Sequence, residues 1–294
     1  MTRNSYRPAL GTIVLFLLYP AISHAIDTEP GAYTALPHGV DALGMYFQNA
    51  HRKERYSNGA ALAGRQELNS TTVQAIYRSY RPLGSLTAGP VVIASCGRQA
   101  AGGAIAALGE ATGCIDPIFG VTVWAINAPA QKNYFGISPY VVAPIGHYDK
   151  NKGLNMGENR WKVGVNSGYI TSLSERFLLD VVGDIVWHGK NDEYGVSART
   201  LEQKPIYNAQ IHLRYQIDST SRVSMSYLHD WGGENSINGV EQRDRKNQGR
   251  IRIGGAKFFD ANNQLQVELG RDTKIANGFK EDNRLILRYV RIWR

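Results

Sequence analysis

The sequence predicts an all-β fold: an antiparallel barrel of about twelve strands that crosses a membrane. Three observations predict it. Apolar and polar residues alternate with a period of two in window after window. The links between those windows alternate strictly between tight and long. And after the first 25 residues no run of about 18 apolar residues remains, so only strands could make a crossing.

Residues 1–25 read as a secretory signal. Arg3 and Arg7 supply a positive start, "GTIVLFLLY" (11–19) is a short apolar stretch, and "SHA" (23–25) places small residues where a signal peptidase cuts, after Ala25. A single N-terminal anchor is the alternative. Removing the segment takes away two Arg and no acid, so the formal charge of the 294-residue chain falls from +8 to +6. The next stretch, 26–42, has no strand pattern. It is rich in Pro and Gly and carries three acids, which makes it a candidate plug for a basic lumen. The barrel is expected over 43–294.

The first strands are less cleanly patterned and fall near 43–50, 71–80, 86–95, 117–127 and 133–144. The pattern then sharpens. "RWKVGVNSGYI" sets Trp161, Val163, Val165 and Tyr169 against Arg160, Lys162 and Asn166. "RFLLDVVGDIVWH" sets Phe177, Val181 and Trp187 against Asp180, Asp184 and His188. "NAQIHLRYQID" alternates Ile211, Leu213 and Tyr215 with His212 and Arg214. "RVSMSYLHDW" follows, then a strand over 248–258, "QLQVELGRD" and "RLILRYVRIW". Tight links are "RPLGS", "APAQK", "TSLSE", "DST" and "DANN"; long links are expected over 51–70, 96–116, 145–159, 188–205, 231–247 and 273–281. Short turns on one side and long loops on the other are the pattern of an outer-membrane barrel, with both termini on the periplasmic side.

Two levels of aromatics agree with this. Trp161, Trp187, Tyr207 and Trp231 fall at the long-loop ends of their strands. Tyr169, Phe177, Tyr215 and Trp293 fall at the short-turn ends. Trp161 to Tyr169 spans on the order of 20 Å at roughly 3.3 Å per residue and a tilt of about 40°, close to an aromatic girdle spacing. The opposite face carries Asp180, Asp184, His212, Arg214, Arg222, Arg250 and Arg252. It continues with Glu268, Asp272, Arg284 and Arg288. So many charges are too costly for a dry core but suit a wet or ion-paired lumen.

Two cysteines, Cys96 and Cys114, suggest a disulfide in an oxidising compartment, with two buried thiols as the alternative. No metal-ligand spacing or phosphate-binding loop occurs, so neither a metal nor a cofactor is expected. An embedded lipid hydrolase would need a Ser and a His together on the outer wall. Ser167 and His229 face outward but lie on the sixth and ninth strands. Lys and Arg are spread through strands and loops rather than clustered, which argues against nucleic acid. "RKER" (52–55) and "RDRK" (243–246) are expected in outer loops, facing anionic lipopolysaccharide.

"IDTEPGAYTALPHGVDAL" (26–43), "NYFGISPYVVAPIGHYD" (133–149), "LNMGENRWK" (154–162), "HDWGGE" (229–234) and "NGFKED" (277–282) resemble the phenol meta-pathway degradation family of outer-membrane transporter-like proteins, which includes sphingosine-induced outer-membrane protein-like members. The resemblance covers essentially the whole mature chain. It implies a Gram-negative outer membrane and uptake or handling of hydrophobic or amphipathic small molecules, such as aromatics or sphingoid lipids. It carries no catalytic set. A structural or stress-induced barrel without transport is the alternative. The expected partners are outer-membrane lipid and lipopolysaccharide, the solute, and the barrel-assembly machinery. That machinery commonly reads a terminal aromatic, and here Trp293 is penultimate.

Overall fold

A computed structural model describes residues 26–294; the expected signal peptide, 1–25, lies outside the described residues. Twelve long strands form the wall: β1 (Asp41–Ser57), β2 (Gln66–Ser79), β3 (Leu86–Gly103), β4 (Ile118–Ala128), β5 (Asn133–Val142), β6 (Lys162–Ser172), β7 (Phe177–His188), β8 (Ile206–Gln216), β9 (Ser221–Gly232), β10 (Lys246–Phe258), β11 (Asn263–Ile275) and β12 (Gly278–Trp293). Each pairs antiparallel with its sequence neighbours, and β12 pairs with β1 from Trp293↔Asp41 to Gly278↔Tyr56. The ring is therefore closed and has no free edge.

The period-two pattern sets the two faces. On β8, Ile211 and Leu213 are 49% and 40% exposed on the outside, whereas His212 and Arg214 are 1% and 4% exposed within. Outward aliphatic side chains repeat around the wall, among them Val73, Val92, Phe119, Ile137, Val181, Met225, Ile253 and Leu269. Such an apolar belt is stable only against lipid.

All five tight links fall at one end. At the other end, the segments between strands fold into a cap. Residues Asn191–Tyr194, Arg199–Gln203, Asn235–Ile237 and Val240–Glu241 make a separate four-stranded sheet from two different loops. Glu110–Cys114 pairs back on β3.

Three of the expected long links, 51–70, 96–116 and 273–281, are in large part strand instead, the second because β3 runs on to Gly103. The link placed over 273–281 is a tight turn, because β11 runs on to Ile275 and β12 begins at Gly278. There β11 and β12 no longer pair with each other: Ile275 pairs with Gln248 of β10, and Gly278 with Tyr56 of β1. Likewise "RKER" lies within β1 rather than in a loop. Beyond the lipid the outer face meets water, so a strand there needs backbone partners but no apolar outer face, and the alternation that marks strands elsewhere is absent.

Cys96 and Cys114 are cross-strand partners joined in a disulfide. It closes a hairpin with a sequence separation of 18. Replacing both by Ser is expected to cost about 2–3 kcal/mol in denaturant unfolding, through the greater freedom of the unfolded chain. An intact mass of the unreduced protein showing two free thiols would contradict the pairing.

Candidate functional site

The interior has two unlike walls. One cross-strand row on the lumen face runs Val290, Gly44, Ile76, Ile93, Ile118, Val142 across β12 and β1–β5 and carries no charge. Another runs Asp180, His212, Ser226, Arg252 across β7–β10 and is polar throughout.

The eleven inward residues expected from the sequence all lie on the inner face, and most are drawn into ion pairs and hydrogen bonds with one another or with neighbours. Arg214 holds Asp180 at 2.7 Å. Arg250 holds Asp230 at 2.6 Å. His212 Nδ1 is 2.8 Å from Ser226 Oγ. Gln266 donates to Glu268. Asp272 accepts from Gln248 at 2.8 Å and from the Glu281 backbone at 2.6 Å. Arg284 and Arg52 share Glu281. Burying ions costs several kcal/mol each unless they are paired, so the pairing is what lets the interior carry charge.

Residues 26–40 run through this interior. Asp27 pairs with Arg250 at 2.9 Å and with Arg252. Glu29 pairs with Arg288 at 3.0 Å and accepts from the Tyr46 hydroxyl at 2.7 Å. Arg222 donates to the Pro30 carbonyl, and Arg78 to that of Ala32. At Gly31 the chain turns with φ +89°, which glycine adopts without strain, and its N–H meets Asp180 at 2.6 Å. Tyr33 then enters a small apolar core of Trp124, Tyr134, Ile170, Leu178 and Val182. Gly168 makes room for it: a Cβ there would lie 2.1 Å from the Tyr33 ring.

Two cavities remain. One of about 320 Å³ faces the capped end and is lined by Gln48, Arg52, Val142, Met156, Lys162 and Leu201 among others. The second, about 240 Å³, lies toward the short-turn end, beside Leu36, Tyr46, Val91 and Val290. The two cavities share Ile26, Asp27, Ile76, Ile93, Ile118 and Tyr140. At the outer mouth Glu158 binds Arg160 and Lys162. Burial alone would push its carboxyl up; the charges of Lys162 and Arg160 outweigh that and hold it well below the usual carboxylate range.

The alternation missed Asp27, Glu29 and Tyr33, which lie outside any strand. It also missed Arg52, although extending the face of Tyr46, Gln48 and Ala50 by two residues reaches it. The aromatic sets stand at opposite ends of the strands. Tyr207 stacks on Trp231 with centroids 5.6 Å apart, and Phe177 lies 5.0 Å from Tyr215 at the other end. Trp161, Tyr169, Trp187 and Trp293 are exposed on the outer surface. Ser167 and His229 are three strand spacings apart, about 14 Å, too far to act as a catalytic pair. His229 instead stands beside Tyr227 and Trp231. Among the described residues no cluster of His, Cys, Asp or Glu is placed to hold a metal ion.

A closed twelve-stranded wall, an apolar outer belt and an internally braced polar lumen define the class of outer-membrane channel barrels. Within that class the chain belongs to the family described as MetA-pathway of phenol degradation, whose model matches residues 51–289. It is similar to an outer membrane channel from Pseudomonas putida F1, with 36% identity over 91% of this chain and 100% of that one, at a TM-score of 0.88. A FadL homologue from Pseudomonas aeruginosa shows 7% identity over 90% and 92% of the two chains, at a TM-score of 0.46. The Pseudomonas putida toluene transporter TodX shows 10% over 90% and 92%, at 0.47. No curated protein sequence matches.

Proposed function

We propose that this barrel passes small hydrophobic solutes, of the phenol-like aromatic class that the family's description names, along the uncharged row beside the N-terminal segment. The observation that carries this is the pair of cavities bordered by one isoleucine row, Ile76–Ile93–Ile118. A solute in the outer cavity meets apolar side chains there, while the ions opposite are occupied with one another. Residues 26–40 act as the plug that narrows the passage to this strip. The aromatic residues at the two strand ends mark the lipid–water interfaces, and the exposed Arg243 and Arg245 of "RDRK" at the capped end face lipopolysaccharide phosphates.

Ile93→Asp tests the path. It removes roughly 1.5–3 kcal/mol of apolar contact in the row that both cavities share, so uptake of labelled phenol by a complemented deletion strain is expected to fall about tenfold or more. Heat-modifiable gel mobility of the variant is the control for insertion and folding. Equal uptake with and without the gene would favour a structural barrel that moves no solute.

A further inference from the structure

The buried carboxylates of the lumen differ in their counter-ions. Arg250 and Arg252 are matched by Asp27 and Asp230, two guanidinium groups against two carboxylates. Asp180 is matched by Arg214. Asp184, 2% exposed, stands in the neighbouring row between Asn166 and Asn208. Its described partners are neutral. It accepts from the Tyr140 hydroxyl at 2.9 Å, from the Asn166 amide at 2.8 Å, and from the backbone nitrogen of Ile26. A carboxylate this deep is costly without a cation.

The Ile26 nitrogen is the atom that cleavage after Ala25 changes. Hydrolysis of the Ala25–Ile26 amide adds one water: oxygen goes to the Ala25 carbonyl carbon, which leaves as carboxylate, and both water protons end on the Ile26 nitrogen, giving –NH₃⁺. We propose that Ile26 is the mature N-terminus and that its α-ammonium pairs with Asp184 inside the lumen. Cleavage then supplies the missing counter-ion and latches the N-terminal segment across the barrel. The inference rests on the outer-membrane reading, since only an exported chain meets a signal peptidase.

The position of that nitrogen is fixed by other contacts. The Ile26 side chain packs with Tyr140, Val142, Val186 and Ile206. Its carbonyl accepts from Gln210 Nε2 at 2.9 Å, and Gln210 Oε1 accepts from the Thr28 N–H at 3.1 Å. With Asp27 held by Arg250, the nitrogen is set against Asp184 before any charge is counted. Turning an amide donor into an ammonium there makes the hydrogen bond charge-assisted, roughly doubling its strength.

The test uses protein purified from the outer-membrane fraction, with N-terminal sequencing, intact mass, and acylation by a small amine reagent in the folded and urea-unfolded states. The chain is expected to begin at Ile26, and its α-amine to react about tenfold more slowly when folded, equivalent to about 1.4 kcal/mol of protection. Asp184→Asn should lose that protection. So should a variant with one Ala inserted between Ala25 and Ile26, which moves the ammonium about 3.5 Å without touching the barrel. Heat-modifiable gel mobility confirms that each variant is folded. Equal protection in wild type and Asp184→Asn, or a mature chain starting at another residue, overturns the pairing while leaving the channel reading intact. Absence of the protein from the outer membrane overturns both.

Discussion

Deleting residues 26–40 behind an intact leader is expected to raise single-channel conductance in planar bilayers severalfold and to make the current anion-selective. The segment runs through the lumen and lines both cavities, so on the proposed reading its loss widens the passage. Its only carboxylates are Asp27 and Glu29, and it holds no Lys or Arg. Their loss leaves Arg250 with Asp230 alone and frees Arg252 and Arg288 from their ion pairs with the segment. Arg222 and Arg78 lose the carbonyls they now reach. Cations left facing a water-filled bore attract anions and repel cations. The reversal potential in a salt gradient reads the selectivity, and heat-modifiable mobility shows whether the barrel still closes. Unchanged conductance and selectivity in a closed barrel would remove the plug from the account.

Arg250→Ala is expected to be the most destabilising single change in the interior, costing roughly 3–5 kcal/mol, the usual penalty for stranding a buried charge. Arg250 bridges Asp27 on the N-terminal segment and Asp230 on β9. Asp27 keeps Arg252, but Asp230 loses its guanidinium partner and keeps the Asn208 amide at 2.5 Å. Adding Asp230→Asn to Arg250→Ala should recover most of the loss, because an uncharged amide needs no counter-ion. Tryptophan fluorescence during urea unfolding in detergent measures both. A double variant no more stable than the single one would show that packing of the long Arg side chain, not its charge, is what matters.

The barrel was legible because its defining property is local. In "NAQIHLRYQID" each residue's face follows from its neighbours two positions away, so Ile211 and Leu213 outside, with His212 and Arg214 inside, could be read without knowing any partner. The first strand was harder. Met45 and Phe47 face lipid there, but Tyr46 is buried inside against Glu29, so apolar residues occupy both faces and the alternation blurs. Beyond the lipid, at 273–281 and at "RKER", the signal vanishes while the strands continue.

The partners of the charges were not legible in the same way. Arg52 meets Glu281, and Arg250 meets Asp27, across 229 and 223 residues of sequence. Which inward residue lands beside which depends on the stagger of strands around a closed ring and on a strandless segment passing through it. By itself the sequence determined which side of each strand meets lipid, which ends carry the turns, and that the interior is charged, because these follow from a two-residue period and from composition. Only the tertiary structure decided that the charges neutralise one another around the lumen, that one isoleucine row is left free of them, and that Asp27, Glu29 and Ile26 complete the interior. The physical reason is that ion pairing and packing depend on distances through space, and in a barrel those distances are fixed only when the last strand pairs with the first.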